Sequence, residues 1–173
     1  MKPSVTELIK LLDKPALLKW ANKIGLEGIK LEDYSKKVMQ QGTSIHKQIE
    51  LYIKYKIPFE NKFHQESFDM YFKDKEILSY ESIIETEWFK GRLDLKILFK
   101  GKTYVCDFKL NQKFVYFENK LQLAAYRFAE NADGVGIISI PDFTFLPVII
   151  KDFTPYEEIL KSLSNIYTLK KQL

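Results

Sequence analysis

Apolar positions recur along this chain with two different periods. Between Leu31 and about Tyr55 the spacing is helical, with Ile45, Ile49, Tyr52 and Ile53 on one face. Gly42 is expected to interrupt or begin that helix. Upstream, Ser4 stands three residues before Glu7, a capping-box spacing that predicts a helix over "SVTELIKLLDK". "PALLKWANKIG" opens on proline and closes on glycine, the usual asymmetry of a helix. A short helix is predicted over residues 62–74.

From Ile77 to Lys109 the pattern changes to that of strands, in "ILSYESIIETEW", "GRLDLKILF" and "KTYVCDFK". "FENKLQLAAYRFAEN" returns to a helix. "GVGIISI" and "FTFLPVII" predict two more strands with a turn around Pro141 and Asp142. Thr154 at a cap position and Pro155 in the first turn predict a last helix over "TPYEEILKSLSNIYTLKKQL". The order is helices, three strands, helix, two strands, helix: an α/β fold whose central mixed sheet of about five strands is flanked by helices. Residues 1–173 read as one domain, with residues 1–75 a helical N-terminal part packed on the sheet.

Two charges at the end of "KTYVCDFKL" give this scheme a chemical content. With Lys100 and Gly101 at the centre of a tight turn, Phe99 faces Lys102, Ile97 faces Tyr104, Leu95 faces Cys106 and Leu93 faces Phe108, a nearly continuous apolar face. The other face then sets Asp94 against Asp107, their Cβ atoms about 4.5–5.5 Å apart. Two like charges about 5 Å apart cost roughly 3 kcal/mol at an effective dielectric of about 20. A hard divalent cation, Mg2+ or Mn2+, offsets that repulsion and suits carboxylate oxygens. Such an ion activates water and neutralises charge on a phosphoryl group. Lys109 projects to the same face as Asp107 and can hold the attacking water or the developing oxyanion.

Composition narrows the class. The 173 residues are 46% hydrophobic and 29% charged, with 13 Phe and 10 Tyr, so the chain has enough apolar mass to fold around a core. The net charge of +4 is compatible with an anionic partner without specifying one. A single cysteine, Cys106, excludes an internal disulfide and a cysteine framework for zinc or an iron–sulfur cluster, and it falls on the apolar hairpin face. The first residues carry acidic groups and no long apolar run, and no stretch nears the roughly 20 apolar residues of a membrane span. A soluble protein of the cytoplasm or another intracellular compartment is expected.

Four segments together resemble a known family. They are "GTSIHKQIELY" (Gly42–Tyr52), "GRLD" (Gly91–Asp94), "DFK" (Asp107–Lys109) and "QLAAY" (Gln122–Tyr126). In order and spacing they resemble the PD-(D/E)XK nuclease superfamily, and within it the RecB-like and mitochondrial genome maintenance exonuclease-like branch. The resemblance covers roughly residues 42–130, and its motifs are weak singly but fairly specific in combination. It implies a restriction-endonuclease-like core and a DNA nuclease, an exonuclease on single-stranded ends. It implies a Mg2+ or Mn2+ ion held by Asp94, Asp107 and His46, with Lys109 as the catalytic lysine. Gln122 and Tyr126, one helical turn apart, would orient Lys109, the water or a DNA phosphate. A further acidic residue is usual, and Glu81 is preferred over Glu85 and Glu87 by spacing alone. The residues after Lys109, "LNQK", depart from the family's Ser or Thr.

Arg92, Lys113, Lys120 and Arg127 lie near these motifs along the chain and are candidate DNA contacts. His64 has no motif around it and reads as structural. The rival to an enzyme is a non-catalytic nucleic-acid-binding or protein-interaction module on the same fold.

Overall fold

The computed structural model describes residues 2–13 and 15–173. Met1 and Lys14, the last residue of the first predicted helix, lie outside them. In chain order the elements are α1 (Val5–Ile9), α2 (Pro15–Leu26), α3 (Leu31–Tyr55), α4 (Lys62–Phe72), β1 (Glu76–Glu85), β2 (Lys90–Phe99), β3 (Lys102–Leu110), α5 (Phe117–Glu130), β4 (Gly134–Ile140), β5 (Thr144–Pro147) and α6 (Thr154–Lys170). The five strands form one mixed sheet in the order β1-β2-β3-β4-β5. β3 and β4 are parallel and joined by α5, while the other neighbours are antiparallel. The fold is α/β, a five-stranded mixed sheet flanked by helices.

Each side of the sheet carries its own core. On one side Val5 and Leu8 of α1, Leu121 and Tyr126 of α5 and Leu160 of α6 pack with Ile84, Leu93, Val105 and Ile137. On the other, Ile49 of α3 and Phe68 and Phe72 of α4 pack with Leu95, Ile97, Cys106, Phe108, Ile138 and Ile140. β4, buried along nearly its whole length, serves both, which is why "GVGIISI" is a continuous apolar run without alternation. Cys106 is fully buried in the second core.

Local signals account for several boundaries. The Ser4–Glu7 capping box forms, but α1 ends at Ile9 and is shorter than the predicted helix. α2 runs through Gly25 to Leu26, and Gly28 (φ 73) follows in the left-handed region open to glycine. Gly42 does not interrupt or begin α3, which passes through it without a break. In a 25-residue helix the cost of one glycine, about 1 kcal/mol, is outweighed by the packing of Ile45, Ile49, Tyr52 and Ile53. Thr154 is the first residue of α6, not its cap, and its N–H donates to Asp152 Oδ1 at 2.9 Å. The last predicted strand stops at Pro147.

The hairpin register holds from Phe99–Lys102 back to Leu95–Cys106. Both turn residues, Lys100 (φ 49) and Gly101 (φ 73), take positive φ, as a two-residue turn between twisted strands requires. Two expectations fail beyond that point. Pairing of β2 with β3 does not continue to Asp94–Asp107 or Leu93–Phe108, and Leu93 does not share a face with Leu95. The cause lies in β1. Glu81, between the pairs Tyr80–Leu95 and Ser82–Leu93, has φ 49, and there the strands exchange faces. Tyr80 packs on the α3 side, whereas Ile84 is buried on the α5 side.

Candidate active site

The exchange of faces gathers charged side chains from both layers. On β3, Asp107 points toward α5, where Gln122 Nε2 donates to its Oδ1 at 2.9 Å. Asp107 Oδ2 is ion-paired with Lys109 Nζ. Lys109 also donates to Gln122 Oε1 at 3.2 Å, and Gln122 Nε2 donates to Tyr126 Oη at 2.8 Å. The helical spacing of Gln122 and Tyr126 therefore places one amide between a carboxylate, an ammonium and a phenol. Asp107 is 2% exposed, and burial of this kind is tolerable for a carboxylate only with such partners.

Asp94 stands where the β2–β3 ladder ends. Its Oδ2 accepts the Phe108 N–H at 2.9 Å. Burial, and then the charge of Asp107, push its carboxyl up to about 7, against the opposing pull of His46, the Phe108 N–H and Lys109. His46 approaches from α3, its ring edge-on to Phe108 with centroids 5.6 Å apart, while Tyr80 Oη donates to its carbonyl at 2.8 Å. Burial opposes charge on His46. The ion pair with Glu81 and the charges of Asp94 and Asp107 outweigh it and hold the imidazole above its usual range. Glu81 lies 3.7 Å from His46 Nδ1 and accepts from Arg92 at 3.2 Å, and His46 first, then Arg92, hold its carboxyl below its usual range.

Among the described residues, His46, Glu81 and Asp94 form the group whose ligand atoms all lie within 4.8 Å of one another. One nitrogen and two hard oxygen donors suit Mn2+ and accommodate Mg2+. The carboxyl of Asp94 is raised by its burial and then by Asp107, which lies outside this group, while His46 within it pulls the other way. Of the three residues that the resemblance implies as ligands, His46 and Asp94 belong to this group, while Asp107 is committed to Lys109 and Gln122. Of the three competing glutamates, Glu81 faces the cluster. Glu85 pairs with Lys2 away from it, and Glu87 is exposed.

A cavity of about 510 Å³ opens over these groups, lined by His46, Asp94, Asp107, Lys109, Gln122 and Tyr126 together with Ser4, Thr6, Lys90 and Arg92. Of the four basic candidates only Arg92 lines it. Arg127 instead lies over the Phe153 ring, 4.2 Å from its centroid, Lys113 sits in the loop before α5 and Lys120 in its first turn. His64 is in α4, 3.5 Å from Asn61 Nδ2, away from the cavity.

Sequence reasoning missed the contribution of the N-terminus and of Lys90. The Lys90 N–H donates to Pro3 O at 3.0 Å, and a bridge between Ser4 and Lys90 brings α1 to the cavity rim. The glycine of "GRLD" permits this approach, since a Cβ on Gly91 would lie 3.3 Å from Val5 Cγ2. The available signal was the alternation of Lys90 and Arg92 with Asp94 along β2.

No family model matches the chain, and no curated protein matches it. Among solved structures, the crystal structure of SSO0001 aligns with 95% of this chain and 76% of its own, at 14% identity and a TM-score of 0.43. No helix among the described residues is long and apolar enough to cross a membrane.

Proposed function

We propose that the protein is a metal-dependent deoxyribonuclease of the PD-(D/E)XK type that hydrolyses phosphodiester bonds, acting on single-stranded ends. The observation that carries this reading is the adjacency of two units: His46 and Asp94 of the His46–Glu81–Asp94 group line the same cavity as the Asp107–Lys109–Gln122–Tyr126 network, and Glu81 lines the neighbouring pocket that His46 and Arg92 share. An ordinary polar surface has no reason to hold a buried carboxylate, a second carboxylate with a pKa near 7 and a fixed ammonium together.

His46, Glu81 and Asp94 are the residues that would hold Mg2+ or Mn2+. When bound, such an ion supplies a water of lowered pKa and neutralises charge on phosphoryl oxygens. The other roles belong to the chain's own groups. Lys109 holds positive charge at the cavity, where it hydrogen-bonds the attacking water or the oxygen on which charge develops. Asp107 and Gln122 fix that ammonium, and Tyr126 fixes the Gln122 amide. Arg92 and Lys90 at the rim attract the phosphates of the strand.

The test is cleavage of end-labelled single-stranded, duplex and flapped DNA with Mg2+ or Mn2+, comparing the native protein with Lys109→Ala and Asp94→Asn. Metal-dependent cutting that both substitutions abolish is expected. A native protein that cuts none of these substrates with either metal would sink the proposal.

A further inference from the structure

The loop between β3 and α5 and the first residue of α5 carry three exposed aromatic rings that neither core uses: Phe114 is 69% exposed, Tyr116 53% and Phe117 47%. Val115 alone in this run packs against the core. The loop is nevertheless tied down. Gln112 Nε2 donates to Phe114 O and to Asn119 Oδ1, both at 2.6 Å, and Asn119 Oδ1 also accepts the Tyr116 N–H at 2.9 Å. The Asn111 N–H donates to Ile140 O at 2.9 Å. The Phe117 ring stacks on Tyr156 with centroids 6.0 Å apart and planes 29° apart. A hydrogen-bonded bracket thus holds large rings out in water.

We infer that this loop and the first turn of α5 form a base-stacking platform that gives the centre its selectivity for single-stranded DNA. The inference rests on the nuclease reading for its place along the substrate and deepens it. Exposed rings flanked by ammonium groups match a chain of unpaired bases and phosphates. Here Lys113 precedes Phe114, and Lys120 follows Phe117. A duplex hides its base faces and offers only phosphates to such a surface. A lipid or protein partner calls for a continuous apolar patch, whereas Gln112, Lys113, Glu118 and Asn119 break this one up. The position is also apt, because the loop links the strand of Asp107 and Lys109 to the helix of Gln122 and Tyr126. Tyr116 precedes Gln122 by six residues, about 9 Å of helix rise, which is one or two nucleotides of extended strand.

The experiment is anisotropy of a fluorescein-labelled 20-nucleotide oligo-dT, and of a duplex of equal length, in EDTA so that no cutting occurs. Native protein is compared with Phe114→Ala, Tyr116→Ala and the aromatic-preserving Phe114→Trp. Each alanine variant is expected to weaken oligo-dT binding about five- to hundredfold while duplex binding stays unchanged, and Phe114→Trp is expected to bind as the native protein does. Thermal melts are expected to coincide, since the rings are exposed. Alanine variants that bind oligo-dT like the native protein, or that lose dT and duplex equally, overturn the platform. So does ring-dependent capture of anionic phosphatidylserine vesicles with no oligo-dT binding. The two readings fail separately: ring-dependent dT binding by a protein that cuts nothing keeps the platform and removes the nuclease, and cutting by a protein whose rings are dispensable does the reverse.

Discussion

The main-chain N–H of Phe108 donates to the carboxylate of Asp94, 2.9 Å away, at the point where β2 and β3 stop pairing. This bond needs an oxygen acceptor but not a charge. Asp94→Asn keeps the acceptor and removes the repulsion with Asp107. At pH 8 the metal-free variant is expected to be more stable than the native protein by an amount on the order of 1–4 kcal/mol, read by urea denaturation. Mn2+ binding by calorimetry is expected to be lost in the same variant. A loss of stability would show that the two aspartates are not in conflict.

The pH dependence has a definite sign. The carboxyl of Asp94 is raised to about 7, so between roughly pH 4 and 7 the folded chain keeps a proton that the unfolded chain has released. Its contribution to stability falls as pH rises through that window and levels off above it. His46, also raised, stabilises the fold below its unfolded value and loses that contribution as pH rises through its folded value. The metal-free protein is therefore expected to melt at a lower temperature at pH 8 than at pH 5.5, and Mn2+ to restore the loss. Metal affinity is expected to rise with pH across the same range, with proton release measurable from calorimetry in buffers of different ionisation enthalpy.

Gln122 bonds to Asp107, Lys109 and Tyr126 at once. On the proposed nuclease reading it positions Lys109 and reaches the reaction through it. Gln122→Ala is expected to lower kcat about ten- to hundredfold with little change in KM for DNA, as removal of an outer orienting group does. A change confined to KM would instead mean that Gln122 contacts the substrate alone.

Gly42 lies inside α3 with open space where a Cβ would stand. Gly42→Ala is expected to stabilise the protein by about 0.5–1 kcal/mol in chemical denaturation, with cleavage unchanged. A stabilised but inactive variant would show that the glycine serves close approach of the substrate.

Where local chemistry was enough, the sequence was readable. Gly101 and the alternation on either side of it define the hairpin turn and five facing pairs. The spacing of Gln122 and Tyr126 brings both side chains to one face, toward the strand of Asp107. The change of face at Leu93 was not readable, because it follows from a glutamate, Glu81, in a left-handed conformation that its residue type does not advertise. Nor was the approach of Ser4 to Lys90, a pairing between residues far apart in the chain that no local pattern encodes. The group of one histidine and two carboxylates drawn from α3, β1 and β2 depends on that same change of face, which is why strand alternation alone could not separate Glu81 from Glu85 and Glu87.

Because β2 crosses from one core to the other at Asp94, the cavity spans the thickness of the sheet. His46 hangs from the layer of α3, and Gln122 and Tyr126 from the layer of α5. The separation of these layers is set by core side chains such as Ile49 and Phe68 on one side and Leu121 and Leu160 on the other. Repacking either core moves one half of the candidate centre against the other, so substitutions remote from every charged group will register as a change in spacing between His46 and Lys109.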